Sequence, residues 1–430
     1  MAFCSHISPM SIKGTVKKTI KKATKKSSAL NSLYTDAIAK KRQRRYDRYS
    51  ELTVDDKLVV FESFMGRKYA DSPRAIYEKL KNSDEYREYH FVWCFRDSVR
   101  ESFSFLDEEP RTRIVRWGSE EYYKTYACAG YWISNTRVPA AIKRRDGQEY
   151  VQCWHGTPLK RLGCDIETEA TEPKEVTRKV FHDDASRYTY FISPSPFYTE
   201  VMSSAFDLTA LDKEDAIIET GYPRNDYIVN YRKEDCAEIR SRLGIPAHKK
   251  VILYAPTYRE NQKNQGKGYK YSEPLDFEQL RQAIGDDYVV LFRAHYYIAQ
   301  QFDFDEYSDF IIDASDYPEI NDLYVIADLL ITDYSSVFFD YGILRRPVIF
   351  YMYDLEFYRD DLRGFYLELS DLPGPITQTQ EELEKLILNH DNWSSTAEYT
   401  EMYDKFIARF APYEDGHATD RVIETVFGKK

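Results

Sequence analysis

The stretch DLLITDYSSVFFDYGILRRPVIFY, residues 328–351, contains two apolar runs separated by a polar turn and a helical pattern. Short apolar runs bounded by turn residues are typical of buried strands. Strands that alternate with helices form parallel sheets whose two faces are both covered. The stretch therefore predicts an α/β fold.

The same alternation extends outward through most of the chain in two series. The first predicted strands are KLVVFESF (57–64), HFVWCF (90–95), YWIS (131–134), YVQCW (150–154) and YFISPS (190–195). The second are KKVILYAPTY (249–258), YVVLFRAH (288–295), DFIID (309–313), DLLITDYSS (328–336) and PVIFYMYD (347–354). Within the first series, SPRAIYEKLK (72–81) reads as a helix, with Ser72 as its cap and Pro73 at its first position.

The length of 430 residues favours two domains, because single cores usually stop growing below this size. Charges and a Gly-Ile-Pro stop separate the two series at 231–248. We therefore expect a basic segment over 1–50, a Rossmann-like domain over 51–235 and a second over 236–430. Doubly wound sheets bind ligands outside the carboxyl ends of their strands, so a central cleft is the expected site.

The predicted N-terminal segment differs from the rest of the chain in charge. Residues 1–50 hold 13 Lys and Arg against two acidic residues, whereas the other 380 residues carry a net charge of −22. Lysine pairs recur every four residues at 17–26, with apolar residues between them, which predicts an amphipathic helix that anionic lipid headgroups would attract. A solvated tail is the alternative. Nucleic acid is not an expected partner, because the acidic body would repel it.

Several functional classes are disfavoured by missing motifs. The six cysteines include no CxxC pair, and the sequence has no HExxH, Walker A or GxSxG motif and no GxGxxG after a strand. It also has no run of 18 apolar residues and no secretory signal pattern. We therefore expect an intracellular protein that uses neither a metal nor a cofactor.

Polar residues follow the predicted strand at 328–331 and precede a helix. Thr332, Asp333, Ser335 and Ser336 occupy this turn, and Asp340 follows Ser336 by four residues on the same helix face. Free N–H groups at a helix start, beside small hydroxyl side chains, favour a diphosphate. A simple capping pattern is the alternative.

The preceding predicted strands end in further polar residues at the same sheet edge. Arg293 and His295 lie two residues apart at the tip of YVVLFRAH, so an extended backbone would point both to one face. Together they could bind a phosphoryl group. Thr257 and Arg259, in APTYRE, join the same rim.

CWHGTPLKRLG, residues 153–163, follows a strand of the first series. Gly156 can adopt backbone angles that lift the His155 ring towards the cleft. An imidazole there could accept a proton from an alcohol near neutral pH, although a packed core histidine is the alternative. Lys160 and Arg161 could hold an anionic acceptor.

Taken together, these stretches resemble the CDP-glycerol:polyglycerophosphate glycerophosphotransferase family, the teichoic acid primases and polymerases of Gram-positive cell walls. The matching segments are FESFMGRKYADSPRAIYE (61–78), ISNTRVP (133–139), CWHGTPLKRLG (153–163), GYPRND (221–226), YAPTYRE (254–260), ITDYSSVFFDYGILRRPVIFYMYDLEFY (331–358) and RGFYLELSDLPGP (363–375). One departure is Tyr296, which stands after His295 where the family often has proline.

The resemblance implies a GT-B architecture in which the C-terminal domain holds a CDP-polyol. It implies that His155 and His295 carry the chemistry, with Arg293, Thr332, Ser335, Ser336 and Asp340 around the donor. The expected reaction moves polyol phosphate to a hydroxyl of a lipid-linked acceptor and releases CMP, in teichoic acid or related glycopolymer synthesis. The enzyme would act as a peripheral protein at the cytoplasmic face of the membrane.

Two other functional classes remain as alternatives. The first is a GT-B glycosyltransferase or epimerase that uses a nucleotide sugar, and the second is a non-catalytic protein that binds anionic lipid or glycopolymer. Within the resemblance, glycerol and ribitol donors are both possible. Priming and chain extension are both open as well, although the chain length favours priming.

Overall fold

The computed structural model describes residues 28–167, 174–257, 263–264, 268–269, 275–294, 304–356 and 364–428. The side chains of these residues are described from Asp36 onward, except at 263–264, 268–269 and 305. The predictions for Arg259, for His295 and for the lysine pairs at 17–26 lie outside these residues.

The first sheet contains seven parallel strands. They are β1 (Asp55–Glu62), β2 (His90–Phe95), β3 (Thr112–Arg116), β4 (Ala129–Ser134), β5 (Glu149–Gln152), β6 (Tyr190–Ser193) and β7 (Ile217–Glu219). Their order is β3-β2-β1-β4-β5-β6-β7, so the chain starts in the middle of the sheet and winds towards both edges. The carboxyl ends of β1, β4 and β5 consequently meet at one edge, where the predicted cleft lies.

The second sheet contains six parallel strands. They are β8 (Lys250–Ala255), β11 (Tyr288–Phe292), β12 (Ile311–Asp313), β13 (Leu329–Thr332), β14 (Val348–Tyr351) and β15 (Ile376–Thr377). Their order is β12-β11-β8-β13-β14-β15. A separate antiparallel pair joins β9 (Lys263–Asn264) to β10 (Gly268–Tyr269). Successive β8 residues enter different apolar clusters, Val251 and Leu253 on one face and Ile252 and Tyr254 on the other. The prediction of two doubly wound α/β sheets is confirmed.

Helices cover both sheets. Their bounds are Ser28–Asp47, Asp71–Lys81, Glu120–Cys128, Lys174–Ala185, Pro196–Ala205, Asp226–Asn230, Lys233–Arg242, Phe277–Ile284, Ile320–Ile326, Val337–Tyr341, Gln380–Leu388, His390–Ser394, Ala397–Phe410 and Ala418–Phe427. The helix predicted over 72–81 begins one residue earlier, at Asp71, and its N-cap is Ala70 rather than Ser72.

The two ends of the chain both pack on the first sheet. The ring of Phe427, in the last helix, stacks on Tyr131 of β4 at a centroid distance of 4.3 Å. The predicted boundaries place Phe427 in the second domain, whereas its ring packs against the first sheet. Near the other end, Tyr46 is 1% exposed, and Arg45 pairs with Glu120 at 2.8 Å. The predicted basic segment 1–50 is therefore bound to the first domain at its C-terminal end.

None of the described helices combines the length and apolar character that crossing a bilayer requires.

Candidate active site

The loop that follows β5 brings His155 to the cleft between the two sheets. Trp154 adopts a left-handed backbone conformation with φ of +48°, which is unusual for a residue with a side chain. The prediction that Gly156 supplies this freedom is wrong, because Gly156 has no positive φ. The strained residue is the tryptophan, and it aims the next side chain, His155, out of the sheet.

Gly156 has a different role, which is to let the second domain approach. A Cβ atom on Gly156 would lie 3.1 Å from the Ser336 hydroxyl oxygen, closer than an ordinary contact. Ser336 precedes the helix Val337–Tyr341, and its side chain makes no capping hydrogen bond. The two predicted site segments, one from each domain, therefore touch at this point.

One hydrogen bond defines the tautomer of the neutral His155 ring. Its Nδ1 lies 2.8 Å from the backbone oxygen of Asn135. A carbonyl oxygen can only accept, so Nδ1 carries the hydrogen and the lone pair of the neutral ring is on Nε2. Although the ring is accessible from the cleft, desolvation by the surrounding protein lowers the pKa of His155 below its ordinary value of 6.5. His155 is therefore equipped to accept a proton at Nε2.

Among the described residues, three cavities share His155 as a lining residue. The interdomain cavity, about 180 Å³, is also lined by Lys68, Arg224, Arg293, Ser336 and Asp340. The loop cavity, about 440 Å³, lies between residues 154–162 and the strand ends at 256–257 and 334–336. The first-domain cavity, also about 440 Å³, is lined by residues of the first domain only, including Arg137 and Trp154.

The loop cavity combines residues for which the sequence predicts different roles. Lys160 and Arg161, predicted to bind an acceptor, line it together with Thr257, Ser335 and Ser336, predicted to bind a donor. Arg161 also forms an exposed ion pair with Glu167 at 2.8 Å. The geometry therefore places these two cations in the same cavity as three residues that the sequence predicts to bind the donor.

The side chains of Thr332 and Asp333, which the sequence predicts to bind the donor, are buried beneath the loops that line the cavity. The Thr332 hydroxyl donates to the backbone oxygen of Ala255 at 2.8 Å. The Asp333 carboxylate accepts from the backbone N–H groups of Thr257 and Tyr334. Thr332 ends β13 and Asp333 follows it, and their hydrogen bonds tie this strand end to β8 and to the loops that line the cavity.

Two cations from different domains line the interdomain cavity. Arg293 follows β11, and its Nη1 donates to the backbone oxygens of Ala314 and Tyr317. Lys68 lies in the first domain, within the segment 61–78, and the sequence alone does not predict a role for it. Burial lowers the pKa of both residues, and Arg293 lowers that of Lys68 further. An anion between them would offset this cost.

Arg224 connects the domains on the wall of the same cavity. Its guanidinium contacts Asp340 of the second domain at 3.1–3.2 Å and Asp71 of the first at 3.3 Å. Asn225 donates to Asp340 as well, at 3.0 Å. The predicted polyol-binding residue Asp340 is therefore already held in a buried ion pair, although it lines the cavity.

Comparison with known proteins gives consistent matches over nearly the whole chain. Residues 45–428 match the family described as CDP-Glycerol:Poly(glycerophosphate) glycerophosphotransferase. The teichoic acid poly(glycerol phosphate) polymerase of Staphylococcus epidermidis is 40% identical over 87% of this chain and 51% of its own length. The teichoic acid glycerol-phosphate transferase of Staphylococcus aureus is 39% identical over 86% of this chain and 92% of its own.

A solved structure extends this likeness to the fold. The wall teichoic acid polymerase TagF, in a variant soaked with CDPG, superimposes with a TM-score of 0.81 at 37% identity. The match covers 93% of this chain and 96% of that one. The GT-B-like fold prediction is confirmed. The chain spans about half the length of the first two curated polymerases that it matches.

Proposed function

The chain belongs to the CDP-glycerol:poly(glycerophosphate) glycerophosphotransferase family, and on that premise we propose that it transfers polyol phosphate from a CDP-polyol to a hydroxyl group of a lipid-linked acceptor. The observation that carries the proposal is the position of His155, whose basic Nε2 stands where the three cavities meet. CDP-glycerol is the first donor to test, because the relatives at 39–40% identity are named for glycerol phosphate.

In the proposed reaction, Nε2 of His155 accepts the proton of the acceptor hydroxyl. The oxygen attacks the β-phosphorus of the donor, the bond from that phosphorus to the bridging oxygen breaks, and CMP leaves with that oxygen. Lys68 and Arg293 line the cavity in which negative charge would build up on the transferred phosphate. One general base contributes about 10²- to 10⁴-fold to a rate.

The loop cavity suits the remainder of the donor. Lys160 and Arg161 supply positive charge on one wall, and the Ser335 and Ser336 hydroxyls lie on the other. We propose that residues 236–430 hold the donor and residues 51–235 the acceptor. His295 keeps its predicted catalytic role as part of this proposal, because it follows Arg293 and Ala294 directly along the chain.

The direct test is CMP release by the purified protein. CDP-glycerol, CDP-ribitol and a UDP-sugar are supplied in turn, with a lipid-linked disaccharide that bears or lacks one glycerol phosphate. We expect acceptor-dependent CMP from CDP-glycerol and a lower rate from CDP-ribitol. UMP or UDP release, or epimerisation of the sugar, would overturn the proposal in favour of a nucleotide-sugar enzyme. Folded protein that is inactive with all three donors would indicate a non-catalytic binding protein.

We further propose that the protein acts as a peripheral protein at the cytoplasmic face of the membrane. The basic residues before the first helix support this, because anionic lipid attracts each such cation by about 1 kcal/mol. Deletion of residues 1–27 leaves the contacts of Arg45 and Tyr46 in place. The truncated protein should sediment less with anionic vesicles at low salt, and equal sedimentation would contradict the proposal.

A further inference from the structure

The first-domain cavity has no role in the donor site described above, and it opens beside the catalytic imidazole. Its lining includes Met65, Arg137, Pro139, Trp154, His155 and Val180. Its volume of about 440 Å³ is within the range of small-molecule sites. Because the loop and interdomain cavities account for the donor, this cavity is the remaining approach to His155 from the first domain.

The charged residues that line the cavity are two arginines and two aspartates. Asp184 is neutralised by a buried ion pair with Arg187, whose guanidinium also donates to the backbone oxygens of Val138 and Ile142. Asp183 pairs with Lys179 at 2.8 Å. Arg137 is exposed and forms no ion pair in the part of the chain that the structure describes. Burial raises the pKa of Asp184, and the charges of Arg187 and, more weakly, Arg137 oppose that rise.

Arg137 is held in place without being neutralised. Its guanidinium carbon lies 4.9 Å from the centre of the Phe181 ring, a cation–π contact that leaves its N–H groups available for an anion. The Trp154 indole forms another wall, and its centroid is 4.5 Å from that of His155. An aromatic face packs well against the C–H groups of a polyol or a sugar.

We propose that this cavity is the acceptor subsite and that Arg137 binds a phosphodiester one polyol unit away from the attacking hydroxyl. The inference rests on the proposed function, which supplies the attacking hydroxyl. It relocates acceptor recognition from Lys160 and Arg161 to the other side of His155. It also predicts selectivity, because an acceptor that already carries a polyol phosphate offers Arg137 an anion and an unprimed acceptor does not.

A binding measurement tests the subsite independently of catalysis. Glycerophosphoglycerol, a soluble phosphodiester, and diglycerol, its uncharged counterpart, are titrated into the full-length protein and followed by NMR. We expect Arg137→Gln to weaken diester binding about 10- to 100-fold, the range for a charge-assisted hydrogen bond, and to leave diglycerol binding unchanged. Arg137→Lys should recover part of the loss, since it keeps the charge but not the planar fork.

The matched control is Arg178→Gln. Arg178 is an exposed arginine on the helix Lys174–Ala185, which also carries the lining residue Val180, but it does not line the cavity. Loss of binding in both variants, or in neither, would overturn the assignment of Arg137. A thermal unfolding midpoint equal to that of the wild type shows that each variant is folded.

Turnover then distinguishes the two proposals. With CDP-glycerol as donor, Arg137→Gln should raise the KM of the primed acceptor about 10- to 100-fold and leave the KM of the donor unchanged. Equal KM values for the primed acceptor in variant and wild type would overturn the Arg137 assignment even if CMP is released. If no donor is turned over but Arg137→Gln still abolishes the preference for the diester, the proposed function fails and the anion subsite stands.

Discussion

Replacing Arg224 with methionine should lower the free energy of unfolding more than the loss of any single exposed ion pair would. The Arg224 side chain is 4% exposed and contacts the carboxylates of Asp340 and Asp71 at 3.1–3.3 Å. Methionine fills similar space but leaves two buried carboxylates without their cation. Breaking a buried pair from one side costs about 3–5 kcal/mol of unfolding free energy, and we expect a loss in this range.

The assay is urea unfolding at pH 7, followed by intrinsic fluorescence. The control is Arg232→Met, because Arg232 is 74% exposed and its ion pair with Asp235 at 2.6 Å is screened by solvent. Adding Asp340→Asn to Arg224→Met should recover part of the loss, since one of the two unpaired charges disappears. If Arg224→Met costs no more than the control, the buried bridge between the domains does not exist in solution.

Three further predictions follow from the geometry and charge of the cleft and core. Gly156→Ala should reduce turnover, because its added Cβ would crowd the Ser336 hydroxyl oxygen at 3.1 Å, and a rate equal to that of the wild type would contradict the close approach. The acid limb of the pH–rate profile should lie below pH 6.5, because His155 has a lowered pKa and stays neutral until the pH falls through that pKa. An acid limb above pH 7 would contradict the assignment of His155 as the base. Burial raises the pKa of Glu62 to about 7, so the folded protein favours the neutral carboxyl group. The resulting contribution to the free energy of unfolding, up to about 3 kcal/mol, is fully present below pH 4.5 and is lost as the pH rises through 7. Glu62→Gln should therefore flatten the dependence of unfolding free energy on pH between 5 and 8, as measured by urea titrations, and an unchanged slope would count against it.

The central strands were predictable from sequence, and most of the edge strands were not. β1, β8 and β13 each pair with a neighbouring strand on both sides. Because both faces of a parallel sheet are covered by helices, the buried parts of these strands are runs of apolar residues. β3, with the sequence TRIVR, and β7, with IIE, are the two edges of the first sheet. An edge strand is half open to solvent and can carry charged side chains, so its sequence of apolar and charged residues looks like that of a loop.

The position of a residue at the cleft was predictable where that residue follows a strand, as for His155 and Ser336. Contacts between distant segments were not predictable. Arg224 is 116 residues from Asp340 and 153 from Asp71, and only the folded chain brings them together. The burial of Thr332 depends similarly on its bond to Ala255, 77 residues away. Lys68 and Arg137 lie in segments that match the family, but a sequence does not show which cations lack a partner.

The most direct test of the central claim is the rate of CMP release by His155→Gln under single-turnover conditions with CDP-glycerol and a primed lipid-linked acceptor. Glutamine approximates the size and polarity of the imidazole but cannot accept a proton near neutral pH. We predict a rate about 10²- to 10⁴-fold below that of the wild type, with donor binding retained. A rate equal to that of the wild type would show that Nε2 of His155 does not remove the proton.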